Sequence, residues 1–319
     1  EVLDCRECDA PFILPAMPIT LPALTRRHWL QGSLAAMLAP RSWGQKAAAE
    51  AETWILFADT HIAEDAAREA RGVVMAENLT RCVNQVLKNR EKPFGVMING
   101  DCAYLDGQQG DYETFAGLVR PLREAGIAVH CTLGNHDYRG HFVEAFTNEQ
   151  DPRPVPGKHV SVISSARVNW VLLDSLDQVN STPGILGDAQ LGWLDRTLSK
   201  LPAKPTFVLA HHNPQGAVAE GQKHTGLTDT DAMLKVLDKH SAKVRAFIYG
   251  HTHTWSHNVD KATGIHFVNL PPVAYVFNSA RPNGWVAARA FHDRLELELR
   301  ALNPAHDQHK QVVSILIDS

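Results

Sequence analysis

From Trp54 onward the sequence predicts an α/β fold whose strands deliver their chemistry to one edge. Apolar, strand-like runs alternate with stretches of helical period, and five of the runs end in carboxylate, amide or imidazole side chains. In an open α/β sheet the carboxyl ends of the strands line one crevice, so residues far apart in the chain converge there. A chain of 319 residues with 44% apolar content has ample material for a buried core.

Trp54-Ile55-Leu56-Phe57-Ala58 reads as the first strand and ends in Asp59-Thr60-His61. Across 65–89 the apolar positions Ala66, Ala70, Val73, Val74, Leu79, Val83, Val86 and Leu87 recur near a helical period, which predicts a helix. The run Phe94 to Ile98 leads to Gly100-Asp101. Residues 111–125 form a second helix candidate, with Asp111 and Glu113 in its first turn where the macrodipole favours negative charge. Ile127 to Leu133 then leads to Gly134-Asn135-His136-Asp137, followed by a short helix over 139–147. The prolines of 151–157 withhold ladder donors and make that stretch a loop. His159 to Ser165 and Val168 to Asp174 read as two strands about a turn, and a helix opens at Gly187-Asp188. Thr206 to Ala210 ends in His211-His212, residues 229–239 suggest the last helix, and Val244 to Tyr249 ends in Gly250-His251-Thr252-His253. Ile265 to Leu270, Trp285 to Phe291 and Leu295 to Leu302 read as closing antiparallel strands. No internal repeat is present, and the one boundary falls near residue 50.

Two imidazoles one residue apart at a strand end can each face a different metal ion, so His251 and His253 are half of a two-metal site. A single Asp or His after a strand is most often a structural hydrogen-bonder. Five such ends in order point instead to a site. Asp, His and the Asn carbonyl are borderline-to-hard ligands suited to Mn²⁺, Fe or Zn²⁺ and poor for Cu⁺.

In these motifs the sequence resembles the calcineurin-like metallophosphoesterases, whose pattern Asp-x-His, Gly-Asp, Gly-Asn-His-Asp/Glu, His, Gly-His-x-His is matched in order from Asp59 to His253. The resemblance implies a four-layer αββα sandwich with two divalent or mixed-valence metal ions at the sheet edge. It implies that Asp59, His61 and His253 hold one ion, that Asn135, His211 and His251 hold the other, and that Asp101 bridges them. Ions about 3.5–4 Å apart would clamp a phosphoryl group and generate a hydroxide nucleophile for in-line hydrolysis. His211 rather than His212 is the expected ligand. His136, between Asn135 and Asp137, is the candidate proton donor to the leaving alkoxide, with the Asp137 carboxylate orienting it or else capping the next helix. Tyr104 departs from the commoner family pattern: Gly100-Asp101-Cys102-Ala103-Tyr104 resembles a purple acid phosphatase motif in which the Tyr binds ferric iron, but His61 fills that coordination position here. Tyr104 is therefore expected in the pocket lining or behind the ligands. The expected substrate is a small phosphomonoester or phosphodiester, cyclic nucleotides and glycerophosphodiesters included. A monoesterase with an Fe(III) centre and a non-catalytic metal-binding scaffold are the alternatives. Trp255, His257, Tyr275 and Phe277 are the candidates for the substrate pocket.

A net charge of -4 without a Lys/Arg stripe argues against a nucleic-acid partner. Cys5-x-x-Cys8 has no second pair, so zinc-ribbon spacing is absent, while Cys82, Cys102 and Cys131 sit among apolar residues as small core side chains. Of the 17 His, those outside the motifs are expected mostly on the surface. Residues 1–50 read as an export signal and leader ahead of a metallophosphoesterase domain at 51–319. Arg26-Arg27, the short apolar stretch Gly32 to Ala39 and the small residues Ala47-Ala48-Ala49 resemble a twin-arginine signal, an address read by the export machinery. That stretch is too short to span a membrane. The expected location is periplasmic or extracellular, with the cytoplasm as alternative; oligomeric state has no signature in the sequence.

Overall fold

Trp54 to Ala58 is apolar at every position because both faces of its strand are covered. Ile55 and Phe57 point to one core cluster and Trp54, Leu56 and Ala58 to another, all of them buried. The structure, a computed structural model, describes residues 20–21, 51–146 and 153–317; Cys5, Cys8 and the expected export signal at Arg26-Arg27 lie outside them. Its strands are β1 (Thr20–Leu21), β2 (Glu52–Ala58), β3 (Glu69–Ala70), β4 (Val73–Val74), β5 (Gly95–Asn99), β6 (Ala128–Thr132), β7 (Ser161–Ser164), β8 (Asn169–Leu172), β9 (Thr206–Leu209), β10 (Val244–Tyr249), β11 (Ser256–Val259), β12 (His266–Asn269), β13 (Gly284–Ala290), β14 (Arg294–Ala301) and β15 (Val312–Leu316). The helices are α1 (Met75–Leu87), α2 (Gln109–Glu124), α3 (Arg139–Phe146), α4 (Asp188–Lys200) and α5 (Thr230–Lys239).

Two large sheets result, one in the order β1-β6-β5-β2-β13-β14-β15 and the other β11-β12-β10-β9-β8-β7, with β3 and β4 as a separate two-stranded pair. Three core clusters separate four layers. The helical residues Leu79, Val83, Phe115 and Val119 pack on Ile55, Phe57, Val96 and Ile98 of the first sheet. Between the sheets Trp54, Leu56 and Met97 meet Trp170, Phe207 and Ile248. Beyond the second sheet Val171, Val208 and Phe247 pack on Leu191, Leu194, Met233 and Leu237 of α4 and α5. This is the αββα sandwich expected. β2, β5 and β6 run parallel, as do β8, β9, β10 and β12, so the site-bearing loops leave the same edge of each sheet.

Several elements differ from expectation. The helix foreseen over 65–89 starts only at Met75, because 69–74 form the tight β3–β4 hairpin whose central residues Arg71 and Gly72 take φ of 51° and 79°. His266–Asn269 is antiparallel on one side only: it pairs antiparallel with β11 but parallel with β10 inside the second sheet. The edge strands β11 and β15 carry no clean apolar alternation, the first being polar and the second exposing Val312 and Leu316. Within 1–50, the backbone of Thr20–Leu21 pairs antiparallel with the edge of β6. Cys82, Cys102 and Cys131 are buried free thiols, as expected. His130 and His159 are buried rather than on the surface. Among the described residues no helix is long and apolar enough to cross a membrane.

Candidate metal centre

The parallel strands end in turns that force their residues inward. Asp59, His61, Asp101, His251 and His253 all have positive φ, between 48° and 67°. Each is a non-glycine residue in the left-handed region, at a cost of about 1 kcal/mol or more, and such outliers persist where surrounding structure over-determines them. The glycines of the motifs are required by close approach. A Cβ on Gly134 would overlap Asp101 Oδ1, and one on Gly250 would lie 2.6 Å from Asp59 Oδ2.

The side chains converge in two groups that share a neighbourhood. Ligand atoms of Asp59, His61 and His253 lie within 4.8 Å of one another, as do those of Asp101, His211 and His251, and those of His61, Asp101 and His136. Asp101 Oδ2 is 3.2 Å from His211 Nε2 and 3.7 Å from His61 Nε2; Asp59 Oδ1 is 3.4 Å from His253 Nε2 and 4.0 Å from His211 Nε2. The Nε2 atoms of His61 and His253 face each other at 3.0 Å. Asn135 Oδ1 is buried without a hydrogen-bond partner.

Outward-facing nitrogens set the tautomers. His211 Nδ1 lies 2.9 Å from the Asn99 carbonyl, His253 Nδ1 2.6 Å from that of Tyr275, and His251 Nε2 2.9 Å from that of Thr225. A carbonyl can only accept, so each of these nitrogens carries the hydrogen and donates it. In the neutral ring the other nitrogen then presents a lone pair to the site, the arrangement that holds metal-ligating imidazoles in place. With two carboxylates, an orphaned amide oxygen and four imidazoles, the donor set fits two borderline-to-hard cations.

The electrostatics ask for positive charge. Burial opposes ionisation of Asp101, but His211, His136 and His61 outweigh it and hold the carboxyl well below its usual range; burial likewise opposes ionisation of Asp59, and His253 and His211 again prevail. Burial, eased only partly by Asp101, pushes His61 down to about 3; burial and His211 push His251 down to about 4. Burial would lower His211 too, yet Asp101 and Asp59 raise it to about 9.

The remaining expected residues separate. His212 turns from the centre, with Nδ1 2.8 Å from Ser175 Oγ, so His211 is the one that faces the carboxylates. The His136 imidazole places Nδ1 2.5 Å from the Leu105 carbonyl, and its backbone N–H donates to Asp101 Oδ1. Asp137 does not orient it. The Asp137 carboxylate is fully buried and accepts from the backbone N–H groups of Cys102, Ala103 and Gly134 and from the Tyr112 hydroxyl. Burial, then the Asp101 charge, pushes Asp137 up to about 6. Tyr104 packs on the helical core with the Arg68 guanidinium carbon 5.3 Å from its ring centre, and it does not line the cavity over the centre. That cavity, of about 350 Å³, is lined by His61, Asp101, Asn135, His136, His251 and His253, with Thr182, Asn213, Thr225, Thr252, Tyr275 and Phe277 completing it. Of the four pocket candidates Tyr275 and Phe277 are there, while Trp255 is buried between the sheets and His257 pairs with His266. Thr182, Asn213 and Thr225 leave no trace in any sequence motif.

A model of the calcineurin-like phosphoesterase family matches residues 54–255. The chain belongs to that family. As a calcineurin-like phosphoesterase it is a hydrolase of phosphoric esters. It is 25% identical over 245 residues to a probable cyclic nucleotide phosphodiesterase of Synechococcus sp. (strain WH7803), covering 72% of this chain and 84% of that one. It is 29% identical over 209 residues to the 3′,5′-cyclic adenosine monophosphate phosphodiesterase CpdA of Escherichia coli K12, covering 65% and 71%. Its fold matches the crystal structure of a dimetal phosphatase from Danio rerio with a TM-score of 0.63 at 19% identity, covering 84% of this chain and all of that one.

Proposed function

We propose that this phosphoesterase is a metal-dependent phosphodiesterase of small esters, with cyclic nucleotides as its substrate class. The observation that carries the metal dependence is the set of three histidines, His211, His251 and His253, each tied through its outer ring nitrogen to a backbone carbonyl around two buried carboxylates. The substrate class rests on the likeness to the two cyclic nucleotide phosphodiesterases.

Asp59, His61 and His253 would hold one ion, Asn135, His211 and His251 the other, and Asp101, which belongs to groups on both sides, would be shared. When bound, the ions supply Lewis acidity toward the phosphoryl oxygens and a nucleophilic hydroxide at neutral pH, with Mn, Fe or Zn matching the donors. His136 lines the cavity with Nδ1 given to the Leu105 carbonyl, which leaves Nε2 to carry a proton to the departing alkoxide. Thr182, Asn213 and Thr225 border the space for the ester, and Tyr275 and Phe277 wall it beside His61 and His253. Tyr104, turned to Arg68 and the helical core, favours divalent ions over a tyrosine-bound ferric centre.

Hydrolysis of 3′,5′-cyclic AMP, bis(p-nitrophenyl) phosphate and p-nitrophenyl phosphate by the metal-loaded protein tests the reading. The two diesters should show the higher kcat/KM, and a preference for the monoester would overturn the assignment as a diesterase. Export by the twin-arginine route is proposed on Arg26-Arg27 and the apolar stretch after them. Replacing both arginines by lysine should leave uncleaved precursor inside the cell; unchanged export would show the pair to be incidental.

A further inference from the structure

Tyr275 and Phe277 have two sides. On one they close the metal cavity: Tyr275 stacks on His61 with ring centroids 5.1 Å apart, and Phe277 stacks on His253 at 4.3 Å. On the other they wall a second cavity of about 510 Å³, bordered by Arg71, Ser279, Arg281 and Asn303. The guanidinium carbon of Arg71 lies 4.8 Å from the Phe277 ring centre and 5.7 Å from that of Tyr275. A guanidinium held over aromatic rings keeps its N–H donors in the plane of its own edge, where they fit phosphate or carboxylate oxygens two at a time. Among the described residues no Asp or Glu lines this cavity to offset the charges of Arg71 and Arg281.

The backbone adds a second observation. Arg71 occupies the first central position of the β3–β4 turn at φ 51°, with Gly72 at 79°. A turn with two left-handed central residues is ordinarily made by Asn-Gly, Asp-Gly or Gly-Gly, so an arginine there is a strained choice. The strain places a cation one aromatic ring away from the metal-cavity histidine His253.

We propose that the second cavity is a subsite for an additional phosphate group carried by the organic part of the ester, with Arg71 and Arg281 as its cationic contacts. The proposal deepens the phosphoesterase reading of the metal centre and rests on it for the scissile group. It divides small phosphodiesters into those that carry a second phosphate about one sugar ring from the scissile phosphorus and those that do not.

The test compares two esters with the same leaving group, thymidine 5′-(p-nitrophenyl phosphate) with a free 3′-hydroxyl and the same compound with a 3′-phosphate. The metal-loaded wild type should favour the 3′-phosphorylated ester by roughly tenfold or more in kcat/KM, through KM, since hydrogen bonds to a charged group are among the stronger ones. In Arg71→Asn, whose new residue suits the left-handed turn and so keeps the hairpin, the ratio should fall to near one. A ratio near one in the wild type, or one that Arg71→Asn leaves unaltered, overturns the proposal. Calorimetric titration with thymidine 3′,5′-bisphosphate and thymidine 5′-monophosphate separates the two readings. If neither ester is hydrolysed, the phosphoesterase reading is the one that fails. An Arg71-dependent preference for the bisphosphate then still supports the subsite, and equal affinities overturn it.

Discussion

At His136, the contact that matters is one the sequence does not display. Its neighbour Asp137 is the partner the sequence offers, yet the imidazole gives Nδ1 to the carbonyl of Leu105 and Asp137 turns into the loops behind it. His136→Ala should therefore leave metal content intact while slowing esters of poor leaving groups far more than nitrophenyl esters, by about 10²–10⁴ for the most basic alkoxides. Values of kcat/KM across leaving groups spanning several pKa units check this; an equal loss along the series would mean that His136 positions the phosphate and donates no proton. Residue types were legible where chemistry dictates them: Asp59, His61, Asp101, Asn135, His211, His251 and His253 all come to one centre. Their supports were not, because the carbonyls of Asn99, Thr225 and Tyr275 belong to the backbone, and any side chain could stand at those positions.

Among the elements, the loop after β5 and the loop after β6 are fastened by one side chain. Asp137 accepts from Cys102 and Ala103 in the first loop and Gly134 in the second, and from the Tyr112 hydroxyl on α2. Asp137→Ala would leave three buried N–H groups unpaired, at a cost on the order of 3 kcal/mol or more, and loosen Asp101 relative to Asn135. Urea denaturation should show that loss, together with weaker metal retention; a variant as stable as the wild type would contradict the fastening role. Strands with both faces buried, such as β2, were plain in the sequence because every position is apolar. The β3–β4 hairpin was hidden, since Ala66, Ala70, Val73 and Val74 mimic a helical face and only the left-handed pair Arg71-Gly72 breaks it. The β10–β12 pairing was equally hidden, because an isolated short apolar run does not state the direction of its partner.

For the whole molecule, burial of ionisable groups sets how it responds to acid. His159 is fully buried with neither ring nitrogen paired, and burial pushes it down to about 4 from an ordinary 6.5. A histidine lowered in the fold takes up its proton first in the unfolded chain. Its stabilising effect is therefore complete above about pH 6.5 and is lost as pH falls toward 4, up to roughly 3 kcal/mol. Denaturation of His159→Leu and wild type across that range should diverge in slope, the variant declining less; parallel profiles would contradict the assignment. The order of strands and helices predicted an α/β fold and the family likeness its four layers, whereas the second cavity behind Phe277 depends on packing between distant loops and had no signature in the sequence. The central claim is that the converging carboxylates and imidazoles of this one chain make a two-ion hydrolytic centre. Titration of Mn²⁺ or Zn²⁺ into chelator-treated protein, following hydrolysis of bis(p-nitrophenyl) phosphate alongside bound metal, tests it most directly. Activity should be absent without metal and reach its plateau as two ions bind per chain, whereas full activity in the stripped protein, or a plateau with one ion bound, would contradict the account.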